Sequence, residues 1–295
     1  VRVLSPFALF LISKVTMTKC IIRPATLADI QTIIEWAAAE GWNPGLNDAA
    51  CFHAADPSGF FVGELDGRLV SAISAVKYRT SFAFIGLYIV HPDFRGRGIG
   101  MATWAHALKS VEGRNLGLDG VMEQAGNYGS AGFSVAYPTI RYRTLAGSKG
   151  RFSAGREPLP NQQRLNQFDR HYFPAERSAF LQAWVTQPGA IVATHQNAGN
   201  IEAFSVMRPC REGWKIGPWF AGNAAAAERV LVQLLDQAQG QAVFIDVPQC
   251  NREAVALVDR AAMVPVFETV RMYTQGIPEG CAMNGVYGVT SLELG

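Results

Sequence analysis

Residues 84–109 read FIGLYIVHPDFRGRGIGMATWAHALK. The run opens as a buried strand, apolar almost throughout, and His91-Pro92-Asp93 ends it with turn chemistry. A loop alternating arginine and glycine follows, Arg95-Gly96-Arg97-Gly98-Ile99-Gly100. Beyond it Met101, Trp104, Ala105 and Leu108 recur at helical spacing. A strand feeding a glycine loop that opens a helix presents backbone N–H groups to a phosphate. Glycine lets the backbone approach the anion and take φ > 0 at low cost. The helix terminus adds partial positive charge worth roughly 0.3–1 kcal/mol. The stretch is predicted to cradle a phosphate.

The rest of the composition narrows whose phosphate this is. At 295 residues, 49% hydrophobic and 17% charged, the chain is globular and long enough for two cores. A net charge of +2, with no basic tract, argues against a nucleic-acid partner. The five cysteines, Cys20, Cys51, Cys210, Cys250 and Cys281, are scattered without a CxxC pair, which suggests reduced thiols in a cytoplasmic protein. No apolar run reaches the ~18–20 residues of a membrane span. The histidines show no metal-ligand spacing, so no metal is expected. Residues 1–16, ahead of Met17, read as an upstream start or a disordered extension.

Several short elements precede the loop. Residues 20–22 form a strand, and Thr26 with Asp29 resembles a capping box opening a helix through Ile30, Ile33, Ile34 and Ala37. Gly41-Trp42-Asn43-Pro44-Gly45 has strong turn chemistry, and Asn47-Asp48 can cap a short helix over 49–55. Asp66-Gly67 joins two strands as a hairpin. After the helix that follows the loop come a strand over 117–122, then Tyr128-Gly129-Ser130-Ala131-Gly132-Phe133, then a last strand at Arg141-Tyr142-Arg143.

In this order the elements and motifs resemble the GNAT superfamily of N-acetyltransferases. Arg95 to Gly100 match the first motif of that superfamily, and Tyr128 with Gly132-Phe133 the second; the resemblance covers about residues 20–143. It implies that Arg95, Gly96, Arg97, Gly98, Ile99 and Gly100 bind the pyrophosphate of acetyl-CoA. It also implies that the backbone at Tyr88 and Val90 pairs with the pantetheine arm. The Tyr88 N–H would polarise the thioester carbonyl, and Tyr128 would be the general acid for the departing thiolate. The acceptor is then an amine, attacking directly in a ternary complex, with Trp42, Asn43 and Asp48 expected at the acceptor site. The superfamily's glutamate on the strand before the loop is missing from 82–90. The general base therefore stays open among Glu35, Glu40, Asp48, His53, Glu64, Asp119 and Glu123, or bulk water.

The second half repeats the pattern in weakened form. Aligning Asn251 with Val121 sets Arg95 opposite Ala225 and Tyr128 opposite Val258, so both the loop and the tyrosine are lost. The expected fold is α/β (α+β): tandem GNAT-like units, each a mixed, mostly antiparallel twisted sheet flanked by helices. The units are 17–143 (catalytic) and 164–295 (degenerate), with 144–163, rich in Gly, Ser, Pro, Arg and Gln, as a linker. This resembles two-domain bacterial GNAT proteins that end in a run like Thr290-Ser291-Leu292-Glu293-Leu294-Gly295. A homodimer is allowed, the oligomeric state not being legible.

Other classes fit less well. A Rossmann site needs Gly-x-Gly-x-x-Gly, and the third glycine here comes one residue early. No Walker sequence or Gly-x-Ser-x-Gly elbow occurs. A non-catalytic acyl-CoA sensor or interaction protein is the alternative reading, favoured by the missing base and opposed by Tyr128.

Overall fold

The computed structural model describes residues 20–147 and 158–295. The expected extension over 1–16 and the middle of the expected linker lie outside them. The first half runs β1 (Ile21–Pro24), α1 (Leu27–Ala39), α2 (Asp48–Ala55), β2 (Phe60–Leu65), β3 (Arg68–Tyr78), β4 (Phe82–Val90), α3 (Ile99–Ser110), β5 (Asn115–Val121), α4 (Ala125–Ser130) and β6 (Ser134–Leu145). The second runs α5 (Gln162–Asp169), α6 (Ser178–Thr186), β7 (Ile191–Asn197), β8 (Asn200–Pro209), β9 (Trp214–Ala221), α7 (Ala224–Gln237), β10 (Ala242–Pro248), α8 (Arg252–Arg260), β11 (Val264–Tyr273) and β12 (Val286–Gly288).

Local chemistry accounts for the boundaries. Thr26 and Asp29 form the reciprocal capping box of α1. Asp66 and Gly67, both at positive φ, make the tight turn between β2 and β3. Asn223 and Asn251 cap α7 and α8 through their side chains. β4 is nearly all apolar because α1 covers one face and α3 the other.

The strands join one mixed sheet, ordered β1-β2-β3-β4-β5-β11-β6-β10-β9-β8-β7, with β12 on β9. Most neighbours are antiparallel; β4–β5 and β9–β10 are parallel. The two halves exchange strands. β11, from the second half, lies between β5 and β6 of the first, and β6 pairs with β10. A boundary after residue 143 therefore falls inside β6, which continues to Leu145. The division into two units with a linker over 144–163 is kept as a proposal, and the strands cross it.

Buried ion pairs hold the joint. Asp48 of α2 and Arg208 of β8 meet at 2.8 Å with both side chains fully buried. Arg141 of β6 bonds Asp246 of β10 at 2.6 and 2.9 Å, and Arg271 of β11 bonds Asp119 of β5 at 2.9 and 2.6 Å. Around them one core mixes both halves, Ile30, Phe52, Phe60 and Phe84 packing with Phe180, Trp184 and Phe204. No helix among the described residues is long and apolar enough to cross a membrane.

Candidate active site

β4 and β5 are paired only from Phe82↔Asn115 to Ile85↔Leu118. Beyond Ile85 they splay. A register shift against β3 and a positive φ at Leu87 (47°) bend β4 away at this point. The opening is a cavity of about 410 Å³, lined along β4 from Ile85 to Val90 and across from it by Asp119, Val121 and Tyr128.

The open edge of β4 supplies polar backbone. The His91 N–H donates to Val70 O on β3 at 2.9 Å. Successive N–H groups of a regular strand alternate, so that of Val90 points to the open side, while Tyr88 follows the bend at Leu87. The Val90 carbonyl is already engaged, accepting from Arg95 Nε at 2.9 Å.

The glycine loop closes one end. Gly96 and Gly98 have φ of 75° and 77°, which L side chains rarely adopt, and Gly98 is the N-cap of α3 without any side-chain cap. The first-turn N–H groups of α3 are thus left for an anion. Ile99 is buried and anchors the helix start, while Gly100 leaves room for Tyr88, whose hydroxyl would lie 2.7 Å from a Cβ there. The arginines are less free than their positions in the sequence imply. Arg95 is ion-paired with Glu40, and the Arg97 guanidinium lies 5.1 Å from the centre of the Phe94 ring.

Tyr128 stands at the other side, on α4. Its ring packs beside Trp104, with centroids 5.6 Å apart, and over Gly120, where any Cβ would come within 2.7 Å of it. Burial, with Tyr88 nearby, pushes its hydroxyl up to about 12, so it holds its proton across the neutral range.

The three expected acceptor residues separate. Trp42 lines the cavity. Asn43 and Asp48 do not: Asn43 is bonded to the backbone of Glu212 at both ends of its amide, and Asp48 is buried against Arg208 and the Gly45 N–H. Both are joints between the halves, because a fully desolvated carboxylate needs its guanidinium. Among the candidate bases, Glu40 and Asp119 line the cavity, each tied to an arginine, and Glu35, His53, Glu64 and Glu123 do not line it. Among the described residues, the carboxylate that lines it without an ion pair is Glu293, from the C-terminal tail. The run 290–295 carries no local signal that brings it to β4, about two hundred residues away.

In the second half the matching features are closed. Two residues, Gly222 and Asn223, connect β9 to α7, and the Asn223 side chain accepts from Ala226 N, taking a donor that an anion would need. The splay between β9 and β10 is filled by β12, with Val289 N bonding Asp246 O at 3.0 Å.

Comparison with known proteins agrees with this repeat. The pattern of the Acetyltransferase (GNAT) family matches residues 27–133, and that of the Acetyltransferase (GNAT) domain matches 165–288. The chain belongs to the GNAT superfamily. This GNAT chain is 29% identical over 276 residues to holothin acyltransferase from Pseudoalteromonas sp. (strain SANK 73390), covering 92% of this chain and 94% of the relative. Its fold is similar to a putative acetyltransferase from Pyrococcus horikoshii, with a TM-score of 0.77 at 23% identity, covering 94% and 96% of the two chains. It is also similar to a tandem GNAT protein from the clavulanic acid biosynthesis pathway, with a TM-score of 0.58 at 15% identity, covering 86% and 98%. The chain is an acyltransferase, and GNAT acyltransferases pass an acyl group from a coenzyme A thioester to an acceptor.

Proposed function

We propose that this protein transfers an acetyl group from acetyl-CoA to the amine of a small molecule, by direct attack with both substrates bound. The observation that carries the reading is the contrast between the two splays. The β4–β5 splay is open, with an uncapped glycine-loop helix at one end and Tyr128 at the other, whereas its β9–β10 counterpart is filled by its own chain.

In this reading the uncapped N–H groups of α3, with Gly96 to Gly100, hold the pyrophosphate of the thioester substrate. The N–H groups of Tyr88 and Val90 align the pantetheine arm. The Tyr88 N–H donates to the thioester oxygen as charge develops on it, which lowers the barrier because the donor is already positioned. The neutral amine nitrogen attacks the carbonyl carbon, the C–S bond breaks, the Tyr128 hydroxyl protonates the departing sulfur, and the proton shed by the nitrogen restores Tyr128. A hydroxyl near 12 gives up its proton only as the thiolate forms, so it acts as a hydrogen-bond donor in the ground state. Trp42 borders the acceptor end. A relative named for acylating holothin supports transfer to one particular acceptor. Five cysteines without a disulfide among the described residues support a cytoplasmic location.

The test is calorimetry of acetyl-CoA with the full chain, followed by thiol release over a panel of small amines. Binding with release on one class of amine is the expected result. Absence of acetyl-CoA binding would overturn the reading.

A further inference from the structure

The C-terminal tail links the two splays. It leaves β12 in the second, passes Gly217, where a Cβ would lie 2.5 Å from the Val289 and Thr290 carbonyls, and reaches Gly86 in the first. Arg177 Nη2 bonds Thr290 Oγ1 at 2.8 Å, and the Tyr78 hydroxyl donates to Leu294 O at 3.0 Å. Between these two fixings the tail presents Leu292 and Glu293 to the cavity. Glu293 is only 4% exposed, and its Oε2 has no hydrogen-bond partner among the described residues.

A buried carboxylate without a partner is costly and needs an explanation. Its surroundings carry charges of both signs. The charged groups it acts on include Asp119 on β5, Arg141 on β6, Arg208 on β8 and Lys215 on β9. Of the cations, Arg141 and Arg208 are committed to Asp246 and Asp48. Lys215, fully buried, is held by the Trp42 carbonyl at 3.3 Å. None of these cations forms an ion pair with Glu293 among the described residues. One charged position in the cavity is left for a cation to fill. Trp42, Phe267 and Leu292 border the same space with flat or apolar surface.

We propose that Glu293 receives the acceptor, a small primary amine on a flat apolar body, as its ammonium and accepts one proton from it. This rests on the acetyl-transfer reading above. The ammonium R–NH3+ gives a proton to the Glu293 carboxylate, and the lone pair so freed forms the C–N bond. The C–S bond then breaks; the second amine proton replaces the one that Tyr128 delivers to the sulfur. Glu293 returns its proton to solvent at the end of the turnover. A carboxylate absent from β4 is thereby supplied from the other end of the chain.

The test uses the full chain with acetyl-CoA and two probe acceptors. Benzylamine arrives charged near neutral pH; aniline arrives neutral. Glu293→Gln is expected to lower kcat for benzylamine about 100-fold or more at pH 7, within the usual range for a lost acid or base. The deficit should shrink as pH rises and the free amine accumulates. For aniline the loss should stay under about tenfold, and acetyl-CoA affinity should be unchanged. Equal losses for both amines at every pH would make Glu293 a structural residue and overturn the proposal. So would a rate within about twofold of wild type, or a wild type that binds acetyl-CoA and acylates neither amine. A wild type that binds no acetyl-CoA would instead overturn the acetyl-transfer reading.

Discussion

The backbone carbonyl of Glu293 packs on Gly86 so tightly that a Cβ built there would sit 2.1 Å from its oxygen. The nearest atoms are backbone, which cannot swing aside, so Gly86→Ala must displace the tail or bend β4. Overpacking of this kind costs about 1–3 kcal/mol. Urea unfolding of the variant should show a loss in that range, together with slower acyl transfer, since Glu293 leaves the cavity with the tail. Unchanged stability would mean that the tail has room to give.

The Asp48–Arg208 pair is a matter of stability rather than of substrate. Asp48→Ala leaves a guanidinium buried without its carboxylate, at a cost of about 3–5 kcal/mol. The double variant Asp48→Leu with Arg208→Met should recover most of that loss, because neither charge is then stranded. Denaturation midpoints for the cycle decide it. A full loss persisting in the double variant would contradict this account of the joint.

Gly98 separates backbone strain from cofactor binding. A Cβ there meets nothing within 4 Å, so Gly98→Val is resisted only by its φ of 77°. The strain costs about 1–2 kcal/mol, and the chain should remain folded. Acetyl-CoA binding in calorimetry should be lost, because the N–H groups at the start of α3 no longer meet an open approach.

Tyr128→Phe removes a hydroxyl and leaves the ring against Trp104 and Gly120. The expected drop in kcat is about 10²–10⁴ with the affinity for acetyl-CoA preserved. Since the wild-type hydroxyl is pushed up to about 12, the wild-type kcat should not decline on the alkaline side until well above neutral pH. A rate within about twofold of wild type would reassign the role.

Asp29 ties acid stability to the first helix. Bonds from Arg23 and from the Thr26 backbone and hydroxyl hold its carboxyl down to about 2, below its ordinary 3.8. A folded-state value lower than the unfolded one stabilises the protein above the unfolded value. That contribution is lost as pH falls from about 4 towards 2. Asp29→Asn should flatten the stability–pH curve in that window and leave it parallel to wild type near pH 7.

Much of the fold is legible in local chemistry. The capping box at Thr26 and the Asp66-Gly67 turn depend on neighbours in sequence, and the structure contains both. α4 is less legible. It contains two glycines, poor helix formers, and is helical nonetheless, with Tyr128 packed over Gly120.

The sequence by itself determined the family, the glycine loop that opens α3 and the absence of a second such loop. Each of these is written in a few consecutive residues whose backbone conformation is set locally. Only the tertiary structure decided which groups meet at the cavity. It moved Asn43 and Asp48 into the joint, threaded β11 between β5 and β6, closed the second splay with β12, and brought Glu293 to Gly86. Those pairings join residues far apart along the chain, and no local preference encodes them; they follow from burying shared apolar faces and, at Asp48, from the need of a buried charge for its partner.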